Sequence, residues 1–266
     1  MQLSGKTALV TGASSGIGRA TALALAAEGC NLALAARRVE RLDEVAATCR
    51  DKGVRCIAVR TDVRSREECH GFVSGAAESL GPPDILVNNA GYAILDDIAE
   101  ASMETAEDMM QTNYFGALYC IEAALPHMIE RGSGAIVNVA SITGLMGYAS
   151  MGAYGATKAA MVILSEALRS ELLQKGIRVS VVCPGTTDTE FFETALAGKM
   201  PAASRLALAI PAERVARTIV RAARTGGYRF IVPWTTGLYI RFKEFMPVTA
   251  HALFRVVSGW LGGAKR

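Results

Sequence analysis

A tyrosine and a lysine four residues apart, Tyr154 and Lys158, lie in a stretch with helical patterning from 152 to 175. At that spacing their side chains share one helix face. A phenol ordinarily loses its proton near pH 10, so alone it is a poor proton carrier at neutral pH. A neighbouring ammonium favours the phenolate and brings the pair toward the range where general acid–base catalysis works. Such a pair suits proton delivery to, or removal from, a substrate oxygen. Ser141 stands at the end of a strand-like apolar run and offers a hydroxyl to hydrogen-bond the same oxygen. Asn113 lies within a long helical stretch at 103–131. Taken singly, each has an ordinary alternative: an interfacial aromatic, a solvated charge, a strand-end cap, a helix-bending polar residue.

These groups need elements that hold them at one edge. Apolar runs at 7–10, 31–36, 55–59, 85–88, 135–139, 178–182 and 230–232 alternate with helical stretches at 16–28, 39–52, 65–79, 103–131, 152–175 and 212–225. The runs are nearly continuous rather than alternating, as strands buried on both faces of a parallel sheet must be. This predicts an α/β fold: a single-domain, doubly wound, Rossmann-type parallel sheet of seven strands flanked by helices. Residues 1–233 form that domain and include a ligand-side loop at 187–210, and 234–266 form an amphipathic C-terminal extension. Behind the first strand, Thr11-Gly12-Ala13-Ser14-Ser15-Gly16-Ile17-Gly18 opens the first helix. Gly12 permits a tight turn, while Gly16 and Gly18 let a pyrophosphate and the helix approach the strand. The helix N-terminus then presents free N–H groups to the anion.

Composition narrows the classes. The chain has 266 residues, 51% of them apolar and 20% charged, which excludes a disordered protein. Residues 1–226 carry 22 basic and 24 acidic side chains, and residues 227–266 carry 6 and 1. The body therefore lacks the basic face that nucleic acid requires. Six cysteines without a Cys-x-x-Cys pair and three histidines fit neither a disulfide framework nor a metal site. Cys183 reads as a buried small hydrophobe and His70 and His127 as helix-surface residues. Asp96, Asp97, Glu104, Glu107 and Asp108 read as solvated faces. No signal-peptide pattern or run of roughly 18 apolar residues is present, so a soluble cytoplasmic protein is expected.

The Thr-Gly-x-x-x-Gly-x-Gly spacing resembles that of the short-chain dehydrogenase/reductase family. Asp62-Val63, Asn88-Asn89-Ala90-Gly91, Asn113, Ser141, Tyr154-x-x-x-Lys158 and Pro184-Gly185 follow in that family's order, so the resemblance spans about residues 5–233. It implies a nicotinamide dinucleotide held by Gly12, Ser14, Ser15, Gly16, Ile17 and Gly18. Asp62 and Val63 would lie at the adenine, Asn89, Ala90 and Gly91 along the cleft, and Pro184, Gly185, Thr187 and Thr189 at the nicotinamide. Thr187 departs from the aliphatic residue common there. The resemblance further implies Tyr154 as acid/base and Ser141 as orienting hydroxyl. Lys158 would also bond the nicotinamide ribose, and Asn113 would hold a water that relays protons.

The second strand runs into Arg37-Arg38 with no acid before Glu40, where an NAD enzyme would offer a carboxylate to the ribose 2′-hydroxyl. A guanidinium there, Arg37 first, suits a 2′-phosphate, so NADP(H) is expected over NAD(H). Leu145, Met146, Tyr148, Phe191 and Phe192, with Ser141, would wall an apolar pocket suited to a lipophilic ketone or alcohol. In the extension, Leu253, Val256, Val257, Trp260 and Leu261 recur at helical spacing among basic residues. That pattern fits peripheral contact with a membrane surface, but a helix docked on its own body or on the partner in a homodimer or homotetramer is preferred, because structures of this kind commonly oligomerise. The reading is an NADP(H)-dependent ketone reductase or alcohol dehydrogenase. An NAD-linked alcohol or steroid dehydrogenase and a non-catalytic NADP sensor are the alternatives.

Overall fold

The computed structural model describes residues 1–191 and 209–249. Strands β1 (Thr7–Thr11), β2 (Asn31–Ala36), β3 (Cys56–Arg60), β4 (Ile85–Asn88), β5 (Gly134–Val139), β6 (Ile177–Pro184) and β9 (Arg229–Val232) form one sheet. Its order is β3-β2-β1-β4-β5-β6-β9, and every pairing is parallel. Two short strands, β7 (Thr187–Asp188) and β8 (Ile210–Pro211), pair beyond the end of β6. The helices are α1 (Gly16–Ala27), α2 (Val39–Arg50), α3 (Arg66–Leu80), α4 (Met103–Met110), α5 (Gly116–Arg131), α6 (Gly152–Leu172), α7 (Ala212–Thr225) and α8 (Trp234–Phe245).

The period of two along each strand splits one apolar run between two cores. Ala8 and Val10 of β1, Ile85 and Val87 of β4, and Ala135 and Val137 of β5 pack toward α1, α2 and α7. Leu9, Leu86 and Ile136 face the other way, toward Phe72 of α3, Cys120 of α5 and Leu168 of α6. Helices therefore cover both faces, which is why these strands carry no polar alternation.

The helix expected over 103–131 is three segments. Between α4 and α5 lies a π-helical turn, Gln111–Phe115, which holds Asn113. One widened turn of this kind shifts the phase of everything after it, and such turns concentrate at functional sites. Ser141 lies two residues past the end of β5 rather than in it, and starts a 3₁₀ turn at Ile142–Gly144. The expected positions Phe192, Leu253, Val256, Val257, Trp260 and Leu261 fall outside the described residues.

Candidate active site

The strand order reverses direction between β1 and β4, and ligands of open parallel sheets bind at that switch point, beyond the strands' carboxyl ends. The two following loops are tied together there. Thr11 Oγ1 accepts from the backbone N–H of Asn89 (3.0 Å) and of Ala90 (3.1 Å). Asn89 Nδ2 donates to the carbonyls of Thr11 (3.0 Å) and Gly12 (3.2 Å). Gly12 has φ of 66°, and a Cβ on it would sit 2.8 Å from Ala90 Cα. A Cβ on Gly18 would overlap the Gly12 carbonyl oxygen and come within 2.5 Å of Asn89 Nδ2. Asn89, expected to line the cleft, has its amide spent on clamping the glycine loop.

The start of α1 differs from those of α3 and α4. Ser65 and Ser102 cap α3 and α4 by accepting the N–H three residues on. Ser15 makes no such bond, and the first turn of α1 holds no acid, which leaves its N–H groups directed at an incoming anion. Arg38 lies over this turn: its Nη2 donates to Ser15 Oγ at 2.6 Å and Ser14 Oγ at 3.3 Å. Arg38 is the N-cap residue of α2, and from there its side chain reaches back to the loop. Arg37, expected as the main cation, is exposed and bears electrostatically on Asp62 and Tyr92. Glu190 accepts from both Arg38 (3.1 Å) and Arg41 (2.7 Å), and the two guanidinium groups hold its carboxyl below the usual range.

Beyond the end of β3, Arg64 grips the Asp62 carboxylate at 2.6 Å, and those hydrogen bonds lower its pKa. Arg64 also bonds Asp108 at 2.8 Å, and the Tyr92 hydroxyl donates to the same Asp108 at 2.5 Å. Asp108 is thus an anchor, not the solvated charge its sequence context suggests. Asp97 is exposed as expected, and its carboxylate accepts from the Ser150 hydroxyl at 2.7 Å.

Asn113, Ser141, Tyr154 and Lys158 converge and are all buried. Burial raises the Tyr154 phenol above its ordinary value, the opposite of the lowering expected from the neighbouring ammonium, and the Ser141 hydroxyl offsets this only in part. Lys158 Nζ stands 5.8 Å from the Tyr154 ring centroid and donates to the Val139 carbonyl at 3.1 Å. Desolvation of its ammonium lowers its pKa to about 8. Asn113 Oδ1 accepts from Tyr92 N at 2.9 Å, while Nδ2 donates to the Tyr92 carbonyl (2.9 Å) and Thr157 Oγ1 (3.0 Å). This amide fixes the backbone at 91–92 against α6. Gly91 permits the fit, since a Cβ there would lie 2.8 Å from Asn113 Oδ1 and 3.3 Å from Lys158 Nζ. Pro184 presents its carbonyl at 3.5 Å from Ser141 Oγ, and Val63 packs under Gly116. The Thr187 hydroxyl donates to the Gly185 carbonyl, and Thr189 Cγ2 lies 3.1 Å from where a Gly16 Cβ would be.

Beside the phenol the surroundings are apolar. Tyr154 packs with Ala93, Leu95, Met109 and Met151, flanked by Tyr148 and Phe191. The Phe191 ring lies 5.8 Å from that of Tyr154. Met146 is buried, and Leu145 packs instead with Met161, Val162 and Cys183 in the cluster beneath the site. Thr11, Met109 and Glu190 are contributors that sequence reasoning missed. Thr11 had a readable signal as the first residue of the glycine motif, whereas Met109 and Glu190 carry none. A separate hollow of about 470 Å³ between α3 and α5, lined by His70 and His127 among others, lies away from this cluster.

The model of the short chain dehydrogenase family matches residues 6–199. The ketoacyl reductase HetN of Nostoc is 34% identical over 273 residues, covering 98% of this chain and 90% of that protein. A short-chain dehydrogenase/reductase structure from Burkholderia phymatum, in complex with NAD, superposes with a TM-score of 0.84 at 28% identity, covering 92% of this chain and 94% of that one. An alcohol dehydrogenase structure from Thermococcus sibiricus, complexed with 5-hydroxy-NADP, gives 0.76 at 28% identity over 85% and 95%.

Proposed function

This chain belongs to the short-chain dehydrogenase/reductase family and is an oxidoreductase; from that premise we propose that it uses NADP(H) to interconvert a ketone and a secondary alcohol on a lipophilic substrate. One observation carries the reaction: a buried phenol with the Lys158 ammonium 5.8 Å from its ring centroid and the buried Ser141 hydroxyl beside it, at the carboxyl edge of the sheet. When bound, the nicotinamide supplies or takes up the hydride. The chain does the rest. Ser141 holds the substrate oxygen, Tyr154 gives that oxygen a proton in reduction and takes it back in oxidation, and Lys158 favours the phenolate. Asn113 positions this pair through the 91–92 backbone and Thr157. Residues 1–233 carry this site.

The residues present fit the dinucleotide. The uncapped start of α1 suits the pyrophosphate, and Arg38 between the Ser14 and Ser15 hydroxyls suits a 2′-phosphate. Arg37 would be its second cation. NADP(H) is preferred on that cluster, although the Burkholderia relative was solved with NAD. The apolar ring of residues about Tyr154 supports a lipophilic substrate, and the ketoacyl reductase among the relatives supports a long-chain 3-keto lipid within that class. Binding of NADPH and NADH is the test, followed by NADPH oxidation against long-chain 3-keto lipids, steroids, retinal and short polar ketones. Arg38→Ala should weaken NADPH by about 10-fold or more, as loss of charge-assisted bonds does, and leave NADH nearly unchanged. Equal losses for both would reject the 2′-phosphate reading, and turnover confined to short polar ketones would reject the lipophilic one.

A further inference from the structure

A helix laid on a globular body ordinarily turns its apolar stripe inward. In α8 the stripe points out. The helix buries Gly237 and Ile240, with Gly237 close against Ile231 of β9. Its large apolar residues Trp234, Leu238, Phe242 and Phe245, spaced four, four and three apart, are exposed, at 65%, 56%, 37% and 88%. A contiguous apolar face of this kind marks an interaction site.

Three further observations say what covers it. After residue 226 the chain carries six basic side chains and one acid, Glu244, whose carboxylate is already paired with Arg229 at 3.5 Å. Among the described residues that leaves Arg241 and Lys243 without an acidic partner on α8, so the helix carrying the face is net positive. Both tryptophans of the chain, Trp234 and Trp260, fall in this extension, and indole is the ring best suited to a boundary between water and hydrocarbon. Thirdly, α8 borders the substrate side: Lys243 Nζ donates to the Leu145 carbonyl at 3.4 Å, and Tyr239 bears electrostatically on Tyr148. No helix among the described residues is long and apolar enough to cross a membrane.

We propose that the exposed face of α8 docks on an anionic lipid surface, lying in its interface and bringing the segment that carries Tyr148 to the bilayer. The aromatic stripe enters the headgroup boundary and the basic side chains meet the lipid phosphates. The purpose of this docking rests on the lipophilic-substrate reading; the docking itself does not, because it is measured without turnover.

The test uses the full chain carrying Trp260→Phe, which leaves Trp234 as its sole tryptophan. Vesicles of phosphatidylcholine and phosphatidylglycerol in equal parts are added, with pure phosphatidylcholine as control. Trp234 emission should move to the blue and the protein should sediment with the anionic vesicles only, the more weakly as salt is raised. Leu238→Glu combined with Phe245→Glu should cut partitioning by about tenfold or more while melting temperature and NADPH binding hold, since both side chains are exposed. Sedimentation without a Trp234 shift would place the lipid contact elsewhere and overturn the proposal. So would a doubled mass that the double variant abolishes without any vesicle binding, because a second copy of the chain then covers the face.

Discussion

The two sides of the site are built differently. On the dinucleotide side, the glycine loop and the turn after β4 are locked by backbone-directed bonds from Thr11 and Asn89, and Gly18 is placed where no other residue fits. On the substrate side, the contacts around Tyr154 come from Leu95, Met109, Met151 and Phe191, whose packing is non-directional and tolerates exchange at similar volume. A constant ligand can be met by a rigid cradle of main-chain groups. A substrate that differs between enzymes of one architecture is met by replaceable side chains, and only the first kind of construction imposes a recurring residue pattern.

Tyr154 sits where the two constructions meet, so removing its hydroxyl tests the junction with the largest effect. Tyr154→Phe should lower kcat by about 10²–10⁴-fold, the usual worth of a positioned acid–base group, while NADPH binds with unchanged affinity. A variant with more than a tenth of normal turnover would move the proton transfer to another group.

Lys158 gives the next effect, read through pH. Its ammonium is disfavoured by burial, so it is charged below about pH 8 and neutral above. The kcat/KM for ketone reduction should therefore fall about tenfold per unit as pH rises past that value. Arginine keeps its charge throughout, so Lys158→Arg, although slower, should lose that alkaline limb. A wild-type profile level to pH 10 would show that the lysine charge does not govern the rate.

Two glycines then compare the sides directly. Gly18→Ala drives a methyl into the Gly12 carbonyl and Asn89, and overpacking of this sort costs about 1–3 kcal/mol. At this chain length that lowers Tm by roughly 2–4 °C per kcal/mol, and cofactor affinity should fall with it. Gly147, on the substrate side, has nothing within 4 Å of a built Cβ. Gly147→Ala should stay within about 0.5 kcal/mol in thermal unfolding. If both variants behaved alike, the contrast between rigid cradle and replaceable wall would fail.

The same contrast explains what could be read from the residues. The seven strands were legible because burial on both faces forbids polar alternation, and the acid–base set because Tyr154 and Lys158 need helical spacing whatever surrounds them. Asn113 was legible as a residue but not as geometry: nothing in Gln111-Thr112-Asn113-Tyr114-Phe115 announces a widened turn. The wall was least legible. Leu145 and Tyr148 stand three apart with similar apolar character, yet one packs into the core and the other flanks the phenol. Which of Arg37 and Arg38 reaches the glycine loop was not legible either: Arg38 does, from the N-cap position of α2.

Glu190 belongs to neither side and joins them. It lies just after β7, and its carboxylate occupies the guanidinium group of Arg38, which the proposed 2′-phosphate would seek, together with that of Arg41. One anion must therefore yield to the other, or share. The pairs are about half exposed, with Arg38 at 45% and Glu190 at 48%, and exposed ion pairs contribute only about 0–1 kcal/mol. Glu190→Gln should accordingly tighten NADPH by no more than about fivefold at low salt, and the gain should shrink as screening grows. NADH, which lacks the competing phosphate, should bind as before in a parallel titration. Weaker NADPH binding in that variant would instead mean that Glu190 holds Arg38 in place for the phosphate, and that the substrate-loop segment helps to build the cofactor site rather than contesting it.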